Sequence, residues 1–424
     1  MNLNNTDQWY KLDNVSRVFL ATHNLRDPRS LRVTAELTEE VDPELLQLAL
    51  DQLMEVRPQL QVAIRRGFFW HYMEPCNARP MVEPDREGPC PVLYGRHYHG
   101  VLHFRVTWYR NRVNLDMFHA LADGTGAISI LQTLLVNYLT LRYPEQLNDL
   151  IAAQTASEAE RSRNSYDQFY ETENRKFATS VGGKSPKAYQ LQGLRHPYNQ
   201  TQFLEIHTDT VPLVEQAQKM GVSLTSYLGA QLILAIHRER SARLRYKPIT
   251  ISLPVNLRNY FPSETLRNFF NSVKVSHIFS GDETLESLAH EFEQQLRAAV
   301  EPENVRQQMN RFQNTENMLF TRLVPLFIKQ PVVRYFTKKE NKRVTAVLSN
   351  LGRVQFPQQL SQYISGITDF CSTEKLFITV TSYGNNLVLG VASAYASTAV
   401  LHRLLSQLQS VGADFTVYAT EIVK

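Results

Sequence analysis

The stretch Val113-Asn114-Leu115-Asp116-Met117-Phe118, running into His119-Ala120-Leu121-Ala122-Asp123-Gly124-Thr125-Gly126, is the most informative in the chain. Residues 113–118 alternate apolar and polar side chains, the two-residue period of a half-buried strand. Residues 127–143 then place apolar side chains at helical spacing. The order is strand, glycine-containing loop, helix, with a histidine where the strand ends. Histidine takes a proton from a hydroxyl or amine near neutral pH, which few other side chains do unaided. Set where a strand gives way to a tight loop, its ring is aimed into a crevice at the sheet end. Gly124 and Gly126 are expected to supply positive-φ backbone and close approach of a substrate. The following helix is expected to offer backbone donors to developing negative charge. Two roles stand open for Asp123: locking the histidine tautomer, or holding the loop by pairing with a distant cation. On spacing alone, His119 reads equally well as a satisfied sheet-edge histidine and Asp123 as a helix start, because HxxxD is a short pattern.

Outward from this block, residues 102–109 read as the partner strand, with Arg110-Asn111 as a tight reversal. Residues 30–37 alternate as a strand. Asp42 caps a helix whose first turn holds Pro43 and which ends at Pro58. Residues 15–20 read as a short strand, short strands follow at 61–64 and 68–73, and 75–91 as a Pro/Gly-rich loop. From 152 to 199 the chain turns polar and reads as a crossing segment. Beyond it, strands are expected at 203–207, 249–254, 272–278 and 344–349, with a hairpin of 376–382 and 387–394. Helices are expected at 211–220, 224–238, 283–300, 302–316, 319–338 and 398–410. The halves share a coarse sequence of strands and helices, which suits two similarly built α/β lobes, near 1–180 and 181–424.

Composition agrees. The 424 residues are 43% hydrophobic and 20% charged, which excludes a disordered or fibrous chain. With 45 Lys+Arg against 41 Asp+Glu, scattered among one another, no phosphate-binding cluster points to nucleic acid. Three cysteines are too few for a disulfide scaffold and suit a reducing compartment. The opening residues lack a basic then apolar leader pattern, and no stretch approaches 18 uninterrupted apolar residues. A cytoplasmic protein with no membrane span is the expectation.

The motif His119 to Gly124, read as HxxxDG after an apolar strand, resembles the signature of the condensation-domain and chloramphenicol-acetyltransferase-like acyltransferases. Within that superfamily the chain is most similar to the stand-alone alcohol acetyltransferase and polyketide-associated branch. Three further stretches agree in order and spacing: VSLTSYLGAQLILAIHR (222–238), ISLPVNLR (251–258) and LSNLGRV (348–354). The resemblance implies two chloramphenicol-acetyltransferase-like lobes with an interface tunnel and the histidine midway along it. It implies acyl transfer to an alcohol or amine from a thioester of coenzyme A or an acyl carrier protein, with His119 as general base. No cofactor is bound permanently, acyl-CoA being the donor substrate, and no metal is required. Asp123 becomes architectural and pairs with Arg258. Phe118 replaces the first of two adjacent histidines common in peptide-forming condensation domains, which weakens that reading. Nothing matches the DFGWG motif of the plant-type enzymes. A binding or scaffold protein without turnover is the other alternative, and it should show the crevice at His119 plugged or the ring turned away.

Ser349 and Asn350 fall where the family places the tunnel wall, and either side chain suits an oxyanion or substrate contact, or Asn350 serves the turn before Gly352. Cys76 and Cys90 with His71, His97, His99 and His103 lack the spacing of a zinc site. Cys371 has no base beside it. Lys329, Lys338, Lys339, Lys342 and Arg343 form a basic group suited to coenzyme A phosphates or to a solvated helix face. The apolar segment LFTRLVPLFIKQPVVRYF (319–336) is expected to pack in the core, or else to line a lipophilic channel or rest against a lipid surface. Pro325 and Pro331 disfavour one straight membrane helix there.

Overall fold

The computed structural model describes residues 9–95, 101–147, 150, 163–170, 186–197, 201–317 and 323–419. In chain order the strands are β1 Tyr10–Lys11, β2 Ser30–Leu37, β3 Val62–Arg66, β4 His71–Pro75, β5 Val82–Pro84, β6 Phe104–Tyr109, β7 Arg112–Phe118 and β8 Gln202–Asp209. They continue as β9 Ile249–Asn256, β10 Phe270–His277, β11 Ala346–Arg353, β12 Ile364–Cys371, β13 Leu376–Tyr383, β14 Asn386–Ser393 and β15 Thr416–Ala419. The helices of two turns or more are α1 Asn14–Thr22, α2 Pro43–Val56, α3 Gly124–Arg142, α4 Thr210–Lys219 and α5 Leu224–Glu239. After these come α6 Leu285–Ala299, α7 Pro302–Asn317, α8 Leu326–Asn341 and α9 Ala399–Gln409.

Two sheets organise two lobes. The first has the order β12-β2-β7-β6-β5, and α2 and α3 pack against it around Leu50, Leu115, Ile130 and Leu134. Capping follows the expected local rule, since Asp42 accepts from the Glu44 and Leu45 amides and Pro43 opens α2. α3 is apolar and long enough to cross a membrane by composition alone, yet over half of that stretch is buried and it packs on α2 and β2. The second sheet has the order β10-β9-β11-β13-β14-β8-β15. Ile251, Leu348, Ile378 and Val380 alternate onto its helix-covered face, against Leu232, Ile236 and Phe292. Thr250, Ser252, Ser349 and Thr379 therefore face the other lobe. That polar inner face is a direct consequence of the two-residue strand period.

Several expectations change. Residues 15–20 form part of helix α1 instead of a strand: Asp13 accepts from the Ser16 amide at 2.7 Å and the Ser16 hydroxyl at 2.6 Å, a cap that outweighs the β-branched residues behind it. The division near residue 180 does not divide the sheets. β12 lies in the second half of the chain yet pairs along β2. It also lies against β13 and β14, where a Cβ on Gly390 would sit 1.9 Å from the Asp369 carbonyl oxygen. The polar stretch 152–199 lies largely outside the described residues, as do His97 and His99. β11 runs past Ser349 to Arg353 through a bulge at Asn350. Of the apolar segment 319–336, residues 319–322 lie outside the described residues and the rest is not core: Leu326 is the buried residue of α8, and most of that helix's large side chains are exposed.

Across the lobe junction, Arg112 on β7 forks onto Glu205 on β8 at 2.8 and 2.9 Å. His207 and Thr368 add bonds to the same carboxylate at 2.6 and 2.9 Å. Burial opposes its ionisation, but the His207 and Arg112 bonds hold it at about 2. Glu36 stands 3.4 Å from the same guanidinium. Glu36, Glu205 and His207 converge as metal ligands do, but Arg112 already supplies the compensating charge.

Candidate active site

Between the lobes lies a cavity of about 660 Å³. His119, Asp123 and Gly124 line it from one lobe, and Ser252, Ser349 and Asn350 from the other. The His119 ring is half-buried and faces into this space, neither plugged nor turned away.

Its orientation is set from three elements. At the end of β7 its amide donates to the Arg29 carbonyl at 2.7 Å. Phe19 of α1 lies tilted against the ring at 4.5 Å between centroids, and Phe270 of β10 stands at 5.9 Å. Asn268 is buried behind it, with its Oδ1 3.1 Å from His119 Nδ1. The Asn268 amide nitrogen donates to the His119 carbonyl at 2.8 Å and the Ser16 hydroxyl at 3.1 Å. Because that nitrogen is committed as a donor, Oδ1 is the acceptor, so Nδ1 carries the proton. Nε2 is left as the basic nitrogen, without a hydrogen-bond partner among the described residues. Burial lowers the ring's pKa below the usual histidine value, opposed by the charge of Asp123. The ring is thus neutral at physiological pH.

Asp123 does not touch the imidazole. Its Oδ1 caps α3 by accepting from the Gly126 amide at 2.9 Å. Its Oδ2 accepts from Arg258 Nη1 at 2.8 Å and from the Phe269 amide at 2.9 Å. Arg258 spends its other donors on the Thr265 carbonyl, at 3.1 and 2.8 Å, on the Arg267 carbonyl at 2.8 Å and on Asn256 Oδ1 at 3.2 Å. One ion pair therefore clamps the histidine loop to the segment that delivers Asn268. Of the two roles open on spacing, the structure has the loop-holding one.

The glycines work differently from expectation. Neither Gly124 nor Gly126 has positive φ, because both lie in the first turn of α3. Gly126 is required by close packing: a Cβ there would sit 2.1 Å from the Leu266 carbonyl oxygen. The approach is made by the protein's own backbone, not by a substrate. The Gly126 amide, in the first turn of α3, is taken by Asp123.

On the facing wall, Asn350 is engaged at both ends of its amide. It donates to the Thr225 hydroxyl at 2.8 Å and accepts from the Gly352 amide at 2.8 Å, so it serves the bulge. Ser349 is buried on the cavity wall, and its hydroxyl has no partner among the described residues.

Two groups on this wall were not legible as site residues. Asp369 of β12 is buried, lines the cavity, and has an enclosed Oδ1 without a hydrogen-bond partner among the described residues. Burial pushes its carboxyl up to about 7. Lys375 donates to Gln190 and to the Val344 carbonyl, both at 2.7 Å, and burial lowers its ammonium to about 8. Cys90 and Cys371 bring no nucleophile: burial raises both thiols well above their usual range. His103 is bound through both ring nitrogens to backbone groups of Leu93 and Ile64. In the basic group, Lys329 donates to the Phe69 carbonyl and Arg343 pairs with Glu340, while Lys338, Lys339 and Lys342 are exposed.

Two similarly built lobes around a histidine-lined cavity place the chain in the condensation-domain and acetyltransferase class of fold. Polyketide synthase associated protein 5 from Mycobacterium tuberculosis is similar at a TM-score of 0.61 and 15% identity, over 95% of this chain and 98% of that one. Trichothecene 15-O-acetyltransferase from Fusarium sporotrichioides gives 0.62 and 11%, over 95% and 94%. A starter condensation domain of rhizomide synthetase gives 0.63 and 12%, over 95% and 93%. The family description that matches is alcohol acetyltransferase, over residues 176–393, a span that includes Arg258, Ser349 and Asn350. The chain belongs to the alcohol acetyltransferase family. No curated protein matches it by sequence.

Proposed function

We propose that this protein transfers an acyl group from a coenzyme A thioester to an alcohol hydroxyl, with His119 as general base. The observation that carries the proposal is the fixed tautomer. With Nδ1–H held by Asn268, Nε2 is the unprotonated nitrogen at the cavity, where an acceptor hydroxyl would meet it. Nε2 takes the hydroxyl proton as the oxygen attacks the thioester carbonyl. The tetrahedral intermediate collapses with loss of the thiolate, which takes the proton back from Nε2. The thioester is already activated, so deprotonation of the nucleophile is the main task left to the protein. The Ser349 hydroxyl, without a partner among the described residues where Asn350 is committed, is the donor offered to the oxyanion.

Membership of the alcohol acetyltransferase family supports a hydroxyl acceptor. The similar starter condensation domain was solved with C8-CoA and Leu-SNAC, which supports coenzyme A as donor. Thiol release from acyl-CoAs of graded chain length, with alcohol and amine acceptors, tests the proposal in wild type and His119→Ala. Acceptor-dependent release abolished by the substitution is the expected result. Release that survives His119→Ala removes its assignment as the base. Absence of release from every free acyl-CoA, with release from acyl carrier proteins, replaces the donor.

A further inference from the structure

The outer face of α8 is apolar and uncovered. At 100° per residue, Phe327, Ile328, Val332, Tyr335 and Phe336 fall within one half of the helix circumference. Each is between 48% and 65% exposed. The opposite half holds the helix on the body: Lys329 donates to the Phe69 carbonyl, Arg334 to the Ala21 carbonyl, and Glu340 pairs with Lys274. A second element extends the same surface. The tip between β3 and β4 carries Phe68 and Trp70, 64% and 49% exposed. It is joined to the start of α8 by the Leu326 amide, which donates to the Phe68 carbonyl at 2.9 Å, and by an edge contact of the Phe68 and Phe327 rings at 6.3 Å. A patch of this kind on a folded protein marks an interaction surface.

Charge decides what covers it. Lys338, Lys339 and Lys342 fall in the same half of the helix as the apolar residues, and no acidic residue does. None of the three has an ion-pair partner among the described residues. A second copy of this chain would bring the same patch and so no carboxylate to meet these lysines. Aromatic and aliphatic side chains flanked by unpaired lysines, on a helix lying flat on the body, match an anionic bilayer: rings enter the headgroup region and ammonium groups meet lipid phosphates. The position gives this contact a use. Asn341 at the end of α8, and Val344 just beyond it, line the interlobe cavity.

We propose that this face, α8 with the tip of the β3–β4 hairpin, docks the protein peripherally on an anionic lipid bilayer and sets the α8 end of the cavity beside the membrane. The contact does not depend on the identity of the acyl donor or on the role of His119.

Co-sedimentation with phosphatidylcholine vesicles, with and without phosphatidylserine, tests it on the full chain. Wild type is expected to sediment with phosphatidylserine vesicles, to be released by salt, and to show a blue-shifted emission that Trp70→Phe removes. The double variant Phe327→Ser/Phe336→Ser is expected to lose binding while keeping its circular dichroism and melting temperature, because both side chains are exposed. Lys338→Ala/Lys339→Ala is expected to weaken binding roughly thirtyfold, at about 1 kcal/mol per lysine near an anionic surface. Wild type that sediments with neither vesicle overturns the proposal. So does binding that survives the double serine variant. A concentration-dependent dimer in analytical ultracentrifugation that the serine variant breaks, without vesicle binding, assigns the face to a second copy instead.

Discussion

Asn268→Ala removes the side chain that orients the candidate base. Asn268 is buried and lies behind the ring, off the cavity wall, so substrate contacts should be unaffected and KM should hold. The bonds to the His119 carbonyl and the Ser16 hydroxyl are lost, and with them, at the ring, the 3.1 Å bond to Nδ1–H. In the resting enzyme that is a neutral hydrogen bond, worth about 1 kcal/mol net. In the proposed reaction Nε2 takes the acceptor proton, the ring becomes an imidazolium, and the same bond becomes one to a charged donor, worth roughly 1.5–3 kcal/mol. The variant loses the neutral bond from the ground state as well, so only the difference, roughly 0.5–2 kcal/mol, bears on turnover, and kcat falls by roughly two- to thirtyfold. The assay is thiol release with saturating acyl-CoA and alcohol, read as kcat and KM separately. A second readout is independent of turnover: nitrogen-15 correlation spectra of His119 should show protonated Nδ1 in wild type and a tautomer mixture in the variant. The companion Asn268→Asp places a carboxylate beside Nδ1–H and favours the imidazolium. Because the base must be neutral, activity falls as pH drops through the histidine pKa, so this variant should move that acid limb to higher pH. An Asn268→Ala enzyme within twofold of wild type, with its nitrogen spectra unchanged, would refute the reasoning.

Arg258→Leu should lower unfolding free energy by about 3–5 kcal/mol in urea titrations, because it strands a buried Asp123 carboxylate that also caps α3. Combining it with Asp123→Asn should recover part of that loss, and a single-variant effect below about 1 kcal/mol would remove the clamp from the account. Asp369→Asn should stabilise the protein most above pH 7. The folded pKa of about 7 exceeds the ordinary 3.8, so the native state holds a proton that the unfolded chain has released, and stability is lost as pH rises between the two values. The span corresponds to about 4 kcal/mol at pH 8 and vanishes below pH 3.8. Melting temperatures of the two proteins at pH 4 and pH 8 check this, and an equal offset at both refutes it.

Local order was legible because it is written in neighbouring residues. The alternation of 113–118, the Asp42-Pro43 cap and the helical spacing of 127–143 each declare an element within a few residues. The pairing of Asp123 with Arg258, 135 residues apart, came from resemblance to a family and not from spacing. Asn268 was missed because nothing around it distinguishes it from other asparagines, and it stands 149 residues from the ring it orients. Strand β12 was missed for a related reason. Its residues serve two lobes at once, so Asp369 faces the cavity where a surface strand would present it to water. At α8 the sequence shows an apolar, helix-compatible run, and such a run suits a core as well as a surface.

By itself, then, the sequence determined most of the element types, since periodicity and capping act over one or two turns, while the meaning of the motif and the class of fold came from resemblance to a family. Only the tertiary structure decided which nitrogen of His119 is basic, why Gly126 has no side chain, and that the apolar face of α8 is exposed. These are properties of groups brought together from distant parts of the chain. Their geometry exists only after the two sheets have closed on each other, where burial and hydrogen bonding choose among states that are nearly equal in water.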